Sequence, residues 1–320
     1  MSTGISTLSS RGWRVLLGFI LLFFFTKSAL PLSSGRSVKP LYAFEFLTFK
    51  RAELGDQTLM EIFCQIPTDN LIFIKYKKGF FASYELAISM QDSLGHEVAR
   101  QSFIDSVKVK TFKEIDRPRI PKLIRFHFII NPGDYEARIE LTDVETRHNL
   151  SFKRKISVSD YTKTGLQLSD LQIAISMNVS QKDNVLVKND REIVPNVSKI
   201  VGGQLTTLFL YSEIYNLRYS LQEPNKELVT TYVIKNARGD EVRSLKRTYE
   251  KPGETCVVAG SIPVADLASG EYQLFLTVED LDSGQKNQRS THFLVIKTYS
   301  DLQTFFEQSN KDRRFVETTH

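Results

Sequence analysis

The side chains that most often carry enzyme chemistry are scattered along this chain. None of its five histidines stands in the His-x-His or His-x3-His spacing that aims two imidazoles at one metal ion. A Gly-x-Ser-x-Gly elbow, a phosphate-binding glycine loop and a Cys-x-x-Cys pair are all absent from the sequence. His127 alternates with Phe126 and Phe128, which favours a core or surface histidine over a ligand. We therefore expect no enzyme activity, no cofactor and no metal site.

A run of basic residues is the clearest candidate for binding. Seven basic side chains lie within eighteen positions, against Glu114 and Asp116. The run fits an anion-binding edge for lipid head groups, acidic polysaccharide or a protein partner. It also fits a solvated strand edge and loop, where lysine discourages pairing with another sheet, and we favour this second interpretation. The seven residues are Lys108, Lys110, Lys113, Arg117, Arg119, Lys122 and Arg125.

The elements that position these residues are predicted to be strands. A Gly-acid-Tyr motif occurs twice, and each copy leads through alternating apolar and polar residues to an aspartate ten positions after the glycine. Strands of this kind at roughly ten-residue spacing predict an all-β protein with two tandem immunoglobulin-like β-sandwich domains. Each tyrosine fits a tyrosine corner, whose phenol bonds to upstream backbone, so we interpret the motif as structural. Its residues are Gly133, Tyr135, Asp143, Gly270, Tyr272 and Asp280.

The first 36 residues have a different character. Arg11 and Arg14 precede an apolar run of eleven residues, 15–25. As a helix, that run would span about 17 Å, which is shorter than the roughly 30 Å hydrocarbon core of a bilayer. We predict a cleavable secretory signal, with an uncleaved N-terminal anchor as the alternative. The segment holds four of the 42 basic residues and no acidic residue, so 38 basic and 37 acidic residues follow it. That balance argues against a nucleic-acid partner.

The remaining chain divides into three predicted parts. Residues 37–160 form the first sandwich, residues 161–299 the second, and residues 300–320 a short helix with a frayed tail. The polar stretch 178–199 of the second sandwich is a candidate contact segment. Two cysteines are too few for a disulfide scaffold. Cys64 and Cys256 each lie among apolar residues, and we expect two separate core thiols.

Several motifs resemble the N-terminal half of the bacterial GWxTD-domain proteins. They include Gly79-Phe-Phe-Ala-Ser-Tyr84, Asp92-Ser-Leu-Gly95 and Leu210-Tyr-Ser-Glu-Ile-Tyr-Asn-Leu217, and the likeness covers about residues 40–297. The resemblance implies an extracytoplasmic location and this fold, but no activity. The Gly-Trp-x-Thr-Asp motif itself is absent, because the only tryptophan is Trp13 in the leader.

These observations predict a non-catalytic binding or scaffolding protein of the bacterial envelope, periplasmic or extracellular. The expected partner is an envelope protein or polysaccharide, and the membrane is reached only through residues 15–25 if the leader stays attached. One alternative is a periplasmic chaperone-like protein, which a basic pair in an interdomain cleft near Lys153–Tyr161 would favour. The other is a carbohydrate-binding or enzyme accessory module, which a line of exposed aromatic residues would favour.

Overall fold

The computed structural model describes residues 42–311, apart from residues 70, 116, 118, 183 and 221–226, together with a two-residue strand near the N-terminus. The predicted signal run and the predicted tail beyond residue 311 lie outside the described residues. Strands account for 61% of the structure and helix for 5%, so the all-β prediction is confirmed.

The first half of the chain builds two sheets. Sheet A has the strand order β1-β7-β3-β2, and sheet B has the order β4-β5-β8-β9 with β6 on the other edge of β5. The strands are β1 (Ser6–Thr7), β2 (Ala43–Phe49), β3 (Thr58–Ile66), β4 (Ile74–Tyr76), β5 (Gly79–Gln91), β6 (Glu97–Val109), β7 (Lys122–Ile130), β8 (Gly133–Asp143) and β9 (Asn149–Val158).

The second half builds two more sheets. Sheet C has the order β10-β15-β11-β13-β12 with β18 beside β15, and sheet D has the order β14-β20-β19-β16-β17. The strands are β10 (Gln167–Leu168), β11 (Gln172–Val179), β12 (Val187–Lys188), β13 (Arg191–Pro195), β14 (Ile200–Val201), β15 (Thr207–Tyr215), β16 (Glu227–Asn236), β17 (Glu241–Glu250), β18 (Cys256–Pro263), β19 (Gly270–Asp280) and β20 (Lys286–Val295).

Each pair of sheets encloses its own apolar core. Alternate residues of β3, β5, β7 and β8 fill the space between sheets A and B, and those of β15, β16, β18 and β19 fill the space between sheets C and D. Period-two alternation puts these side chains on one face of each strand, and burying them drives the two layers together. Cys64 belongs to the first core and Cys256 to the second, and both thiols are free.

The two sheet pairs repeat one topology. β5 lies between β6 and β8 as β16 lies between β17 and β19, and β9 follows β8 as β20 follows β19. The register matches residue for residue, because Gly133 pairs with Val158 and Gly270 pairs with Val295. Both corner tyrosines also donate their phenol to a carbonyl four residues upstream, Tyr135 to Asn131 at 2.9 Å and Tyr272 to Ala268 at 3.0 Å.

The aspartate that ends each repeat organises a turn. Asp143 accepts hydrogen bonds from the backbone N–H of residues 145 and 146 through one carboxylate oxygen, at 3.0 and 2.8 Å. Asp280 is fully buried, accepts from the backbone N–H of Arg218 at 2.9 Å and pairs with the Lys251 ammonium at 2.7 Å. Both positions are therefore occupied by turn-capping groups.

The two pairs of sheets pack on each other through sheets A and C, so the layer order is B-A-C-D. A third apolar cluster lies at this contact and includes Leu47, Phe49 and Phe63 from sheet A and Ile193 and Tyr211 from sheet C. β3 is therefore buried on both faces, with Met60 and Ile62 toward one core and Phe63 toward the other. The alternation of apolar and polar residues in the sequence does not predict that the second face of β3 is also covered.

The last element that the structure describes is the helix α1, Tyr299–Lys311. Its N-terminus is capped reciprocally, because Asp301 N–H donates to Thr298 Oγ1 at 3.1 Å and Thr298 N–H donates to the Asp301 carboxylate at 2.9 Å. The helix thus starts one residue earlier than predicted. Within the part of the chain that the structure describes, no helix has the length and apolar character needed to cross a membrane.

Candidate binding surface

One end of the first sheet pair gathers a dense group of exposed basic residues. Two connections meet there: residues 67–79, which contain the β4–β5 hairpin, and residues 107–122, which join β6 to β7. Pairing across β5 brings them together, because Phe81 lies opposite Ile74 on one side and opposite Lys108 on the other. We call these two segments the basic tip. They hold nine basic residues against three acidic residues, although the chain after residue 36 is almost balanced.

Most lysines of the basic tip have no acidic partner. None of the seven side chains named below forms an ion pair with a residue that the structure describes, and all seven are exposed. Glu114 accepts hydrogen bonds from the Lys110 N–H and the Thr111 hydroxyl, at 3.1 Å each, and these contacts lower the pKa of its carboxyl. The seven are Lys75, Lys77, Lys78, Lys108, Lys110, Lys113 and Arg117.

Arg119 ties the two connections of the basic tip together. Its guanidinium donates to the carbonyl oxygens of Thr68, Glu114 and Ile115 at 3.0, 2.9 and 3.0 Å. It also stacks on the Phe73 ring, 4.8 Å from the ring centroid, and contacts the Asp69 carboxylate at 3.4 Å. A planar guanidinium can serve all these acceptors at once, so Arg119 works as a structural clamp.

Apolar side chains stand exposed among the lysines. Phe112 is 67% exposed and Tyr76 is 52% exposed, although both are large and apolar enough to favour a core. The Phe112 ring packs edge-on to Phe80 at 5.9 Å, and the Tyr76 ring lies 6.0 Å from Phe81, so both are held in place from below. Three further exposed residues on these connections are Ile72, Ile74 and Ile120.

The turn of the β4–β5 hairpin consists of two lysines. Tyr76 pairs with Gly79, which leaves Lys77 and Lys78 as the two-residue loop. Lys77 has a φ of +51°, a left-handed conformation that favours glycine or asparagine in such turns. Gly79 is required by close approach, because a Cβ there would lie 2.6 Å from the carbonyl oxygen of Val109. The hairpin therefore tolerates a strained lysine at its tip.

The basic cluster predicted from the sequence is divided by the structure. Lys108, Lys110, Lys113 and Arg117 lie on the basic tip, exposed and without an ion pair to a residue that the structure describes. Arg119 is the clamp, and Lys122 pairs with Asp105 at 2.9 Å. Arg125 lies on the face of sheet A that packs on sheet C, where its guanidinium contacts the Glu61 carboxylate at 2.6 Å. The three hairpin lysines, Lys75, Lys77 and Lys78, lie at least thirty positions earlier in the chain and were missing from the predicted cluster.

Charged side chains that are paired with each other lie between sheets A and C. The Glu61 side chain is 1% exposed and pairs with both Arg125 and Lys188. The Lys188 ammonium also lies over the Phe49 ring at 4.0 Å, with the Phe63 and Tyr211 rings at 5.7 and 5.5 Å. This cage of rings and carboxylate compensates a buried cation. Lys188 belongs to the stretch 178–199, of which residues 193–197 are also buried, whereas Val179 is 75% exposed. The role of the stretch as a contact segment stays a prediction.

Two further carboxylates connect the same layers. Glu213 pairs with Arg51 at 2.9 Å and accepts hydrogen bonds from the Tyr211 and Tyr215 hydroxyls at 2.7 and 2.8 Å. Glu45 pairs with Lys199 at 3.2 Å, and burial raises the pKa of its carboxyl because the attraction of Lys199 and Lys188 does not offset it. Burial also acts to raise the pKa of Glu61, but Lys188 and Arg125 outweigh that effect and the pKa is lowered. Among the described residues Glu61 has two ion-pair partners and Glu45 has one, which agrees with the opposite directions.

A polar cleft of about 440 Å³ lies where the chain passes from one sheet pair to the other. Lys163 and Arg289 line it together with Asp134 and Asp160. The Arg289 guanidinium donates to the Leu168 carbonyl at 3.1 Å and to the Ser159 hydroxyl at 3.2 Å. Over the ranges that the structure describes, no group of three or more His, Cys, Asp or Glu side chains is placed to hold a metal ion.

Comparisons with known proteins leave the family open. No family model matches the chain, and no curated protein matches it. Among solved structures, a β-glucuronidase of Parabacteroides merdae shares 11% identity with a TM-score of 0.22, over 78% of this chain and 30% of that one. The same enzyme with glycerol in its active site gives 12% identity and a TM-score of 0.23, over 75% and 28%. The chain thus spans under a third of those enzymes. The GWxTD resemblance receives no support here and stays a prediction.

Proposed function

We propose that this protein is a non-catalytic extracytoplasmic binding or scaffolding module that uses the basic tip to hold an anionic partner. The observation that carries the proposal is the concentration of charge: nine basic residues against three acidic ones in two adjoining connections of an otherwise balanced chain. Seven of those cations have no described ion-pair partner, and a group of like charges at close range repels itself unless an anion neutralises it.

The contact between sheets A and C supports a scaffolding role. Caged Lys188 and the Glu213 cluster join the two sheet pairs through buried charged hydrogen bonds that the aromatic rings shield from water. A rigid contact of this kind keeps the basic tip at a constant distance from the surfaces of the second sheet pair. Two binding events on one molecule would then have a defined geometry.

The first experiment measures retention of the full chain on immobilised dextran sulfate, with unmodified dextran as the reference. We expect salt-sensitive retention on dextran sulfate alone, because screening weakens exposed charges over about 10 Å at 0.1 M salt. The triple variant Lys75→Gln, Lys77→Gln, Lys78→Gln should lose at least about tenfold in affinity.

The matched control removes three exposed lysines elsewhere, with Lys155→Gln, Lys182→Gln and Lys246→Gln. It changes the net charge by the same amount and leaves the basic tip intact. Equal losses in the two triple variants would mean that retention follows total charge, and the proposal would fail.

One observation favours a chaperone-like function as a second candidate. The cleft at the crossing between the sheet pairs holds Lys163 and Arg289, the type of basic pair expected for that alternative. Suppression of aggregation of a thermally unfolded client, lost in Lys163→Gln and kept in the hairpin-lysine triple variant, would support it. Suppression that depends on the hairpin lysines would instead point back to the basic tip.

A further inference from the structure

The basic tip combines two surface properties. It carries cations with no ion-pair partner among the described residues, and it exposes large apolar side chains between them, with Phe112 at 67% and Ile72 at 49% exposure. We propose that the basic tip docks on an anionic membrane surface, with its lysines at the lipid head groups and Phe112, Tyr76 and the exposed isoleucines inserted into the interface. This inference rests on the proposed function and names the anionic partner.

The side-chain chemistry favours a lipid bilayer over an acidic polysaccharide. Both ligands attract lysines, but a sugar chain needs hydrogen-bonding groups and flat rings, whereas exposed aliphatic residues contribute nothing to it. Ile72, Ile74 and Ile120 are 49%, 38% and 40% exposed on the same two connections. Burial of such side chains in the head-group region is favourable, and nearby lysines add electrostatic attraction to anionic lipids.

The geometry also suits insertion. Phe112 lies at the end of β6 and rests on Phe80, and the hairpin turn of Lys77 and Lys78 lies at the beginning of the adjacent β5. Arg119 clamps the two connections through five hydrogen bonds from its guanidinium and backbone N–H. A surface that is already ordered loses little conformational entropy on binding.

A fluorescence reporter at the tip tests the inference in the full chain. The leader holds the only tryptophan, so the reporter protein carries Trp13→Phe and Phe112→Trp. It is mixed with vesicles of phosphatidylcholine containing roughly one third phosphatidylglycerol, and with pure phosphatidylcholine vesicles. With the anionic vesicles we expect tryptophan emission to shift to shorter wavelength and to be quenched by brominated acyl chains. The leader itself cannot produce a signal at residue 112.

Two sets of variants separate charge from insertion. Each of Lys75→Gln, Lys77→Gln and Lys113→Gln in the reporter protein should lower the partition coefficient by about fivefold, the effect of one lysine near an anionic surface. Phe112→Ser in the native chain should lower vesicle binding, whereas Leu94→Ser should not, because the 78% exposed Leu94 lies in the turn at the opposite end of sheet B.

The outcomes distinguish this inference from the proposed function. Retention on dextran sulfate without any change at residue 112 on anionic vesicles would overturn the membrane inference and leave the proposed function standing. Equal emission shifts on neutral and anionic vesicles would overturn the role of the lysines. If the protein is neither retained on dextran sulfate nor bound to anionic vesicles, both proposals are overturned.

Discussion

Lysine is used in two different ways in this protein. Lys188 lies between sheets A and C with its ammonium 4.0 Å from the Phe49 ring and paired with Glu61, whereas Lys113 on the basic tip is exposed and has no described acidic partner. Phenylalanine shows the same contrast, because Phe49 is fully buried and Phe112 is 67% exposed. Between sheets A and C the cation and the rings are shielded from water and contact each other, whereas Lys113 and Phe112 of the basic tip face water.

This difference teaches where stability and binding reside. At the contact between sheets A and C, Lys188 and Arg125 are both paired with Glu61. Removal of that partner should therefore lower the free energy of unfolding. The basic tip has cations in excess, so its loss should cost affinity and little stability. The predictions below test whether the two regions separate in this way.

The largest effect is expected at Glu61. Glu61→Gln leaves Lys188 and Arg125 without their shared anion, and removal of one partner from a buried charge pair costs about 3–5 kcal/mol. The free energy of unfolding, measured by urea titration, should fall by that amount.

Glu45→Gln is the matched control for that measurement. Both glutamate side chains are 1% exposed, but among the described residues Glu45 forms one ion pair, with Lys199. Because burial already disfavours its charge, we expect a change below about 1 kcal/mol. Equal destabilisation by the two variants would contradict the special contribution of the two ion pairs of Glu61.

The pH dependence of stability should carry the same signature. The pKa of Glu61 lies below its ordinary value of 4.5 in the folded protein. Its contribution to stability is therefore complete above the unfolded value and is lost as the pH falls through the folded pKa. Urea titrations across the acid range should show a steep loss that Glu61→Gln flattens. Glu45 acts in the opposite direction, so Glu45→Gln should deepen the acid loss.

A moderate effect on stability is expected at the clamp of the basic tip. Arg119→Lys keeps the charge but loses the fork that reaches the carbonyl oxygens of Thr68, Glu114 and Ile115. We expect a loss of about 1–2 kcal/mol and faster proteolysis in the 107–122 connection. Arg117→Lys is the control, since Arg117 forms no described hydrogen bond. If the clamp variant bound vesicles as tightly as the native chain, order at the tip would not matter for binding.

The smallest effect, and one of opposite sign, is expected at the hairpin turn. Lys77→Asn relieves a left-handed lysine at φ +51° and should raise the free energy of unfolding by about 0.5–1 kcal/mol. The same variant should weaken vesicle binding by about fivefold. Lys78→Asn removes an equal charge at a residue without positive φ, so it should weaken binding without stabilising the fold. A Lys77→Asn variant that is more stable than the native chain and binds anionic vesicles with unchanged affinity would contradict the membrane inference.

Much of the fold could be read from local patterns. Tyr135 and Tyr272 begin strands whose alternation and pairing are repeated at equivalent positions, because period-two burial is a property of each strand taken alone. The helix near residue 300 was also recognisable from its apolar spacing, although its capping pair is Thr298 and Asp301. Only one part of the candidate site could be predicted from the sequence. The basic residues of 107–122 lie close together in the chain, but the hairpin lysines join them through strand pairing across β5.

The order of residues was enough to predict layered strands with a repeated corner and one strongly basic connection. Which charged side chains are buried and which are exposed became known from the packing of the sheets. Arg125 and Arg119 belong to the same run as Lys113, yet Arg125 is half-buried and paired with Glu61, Arg119 is a clamp and Lys113 is exposed. The physical reason is that alternation along a strand distinguishes its two faces but does not specify what covers each face. That depends on partners brought from distant parts of the chain.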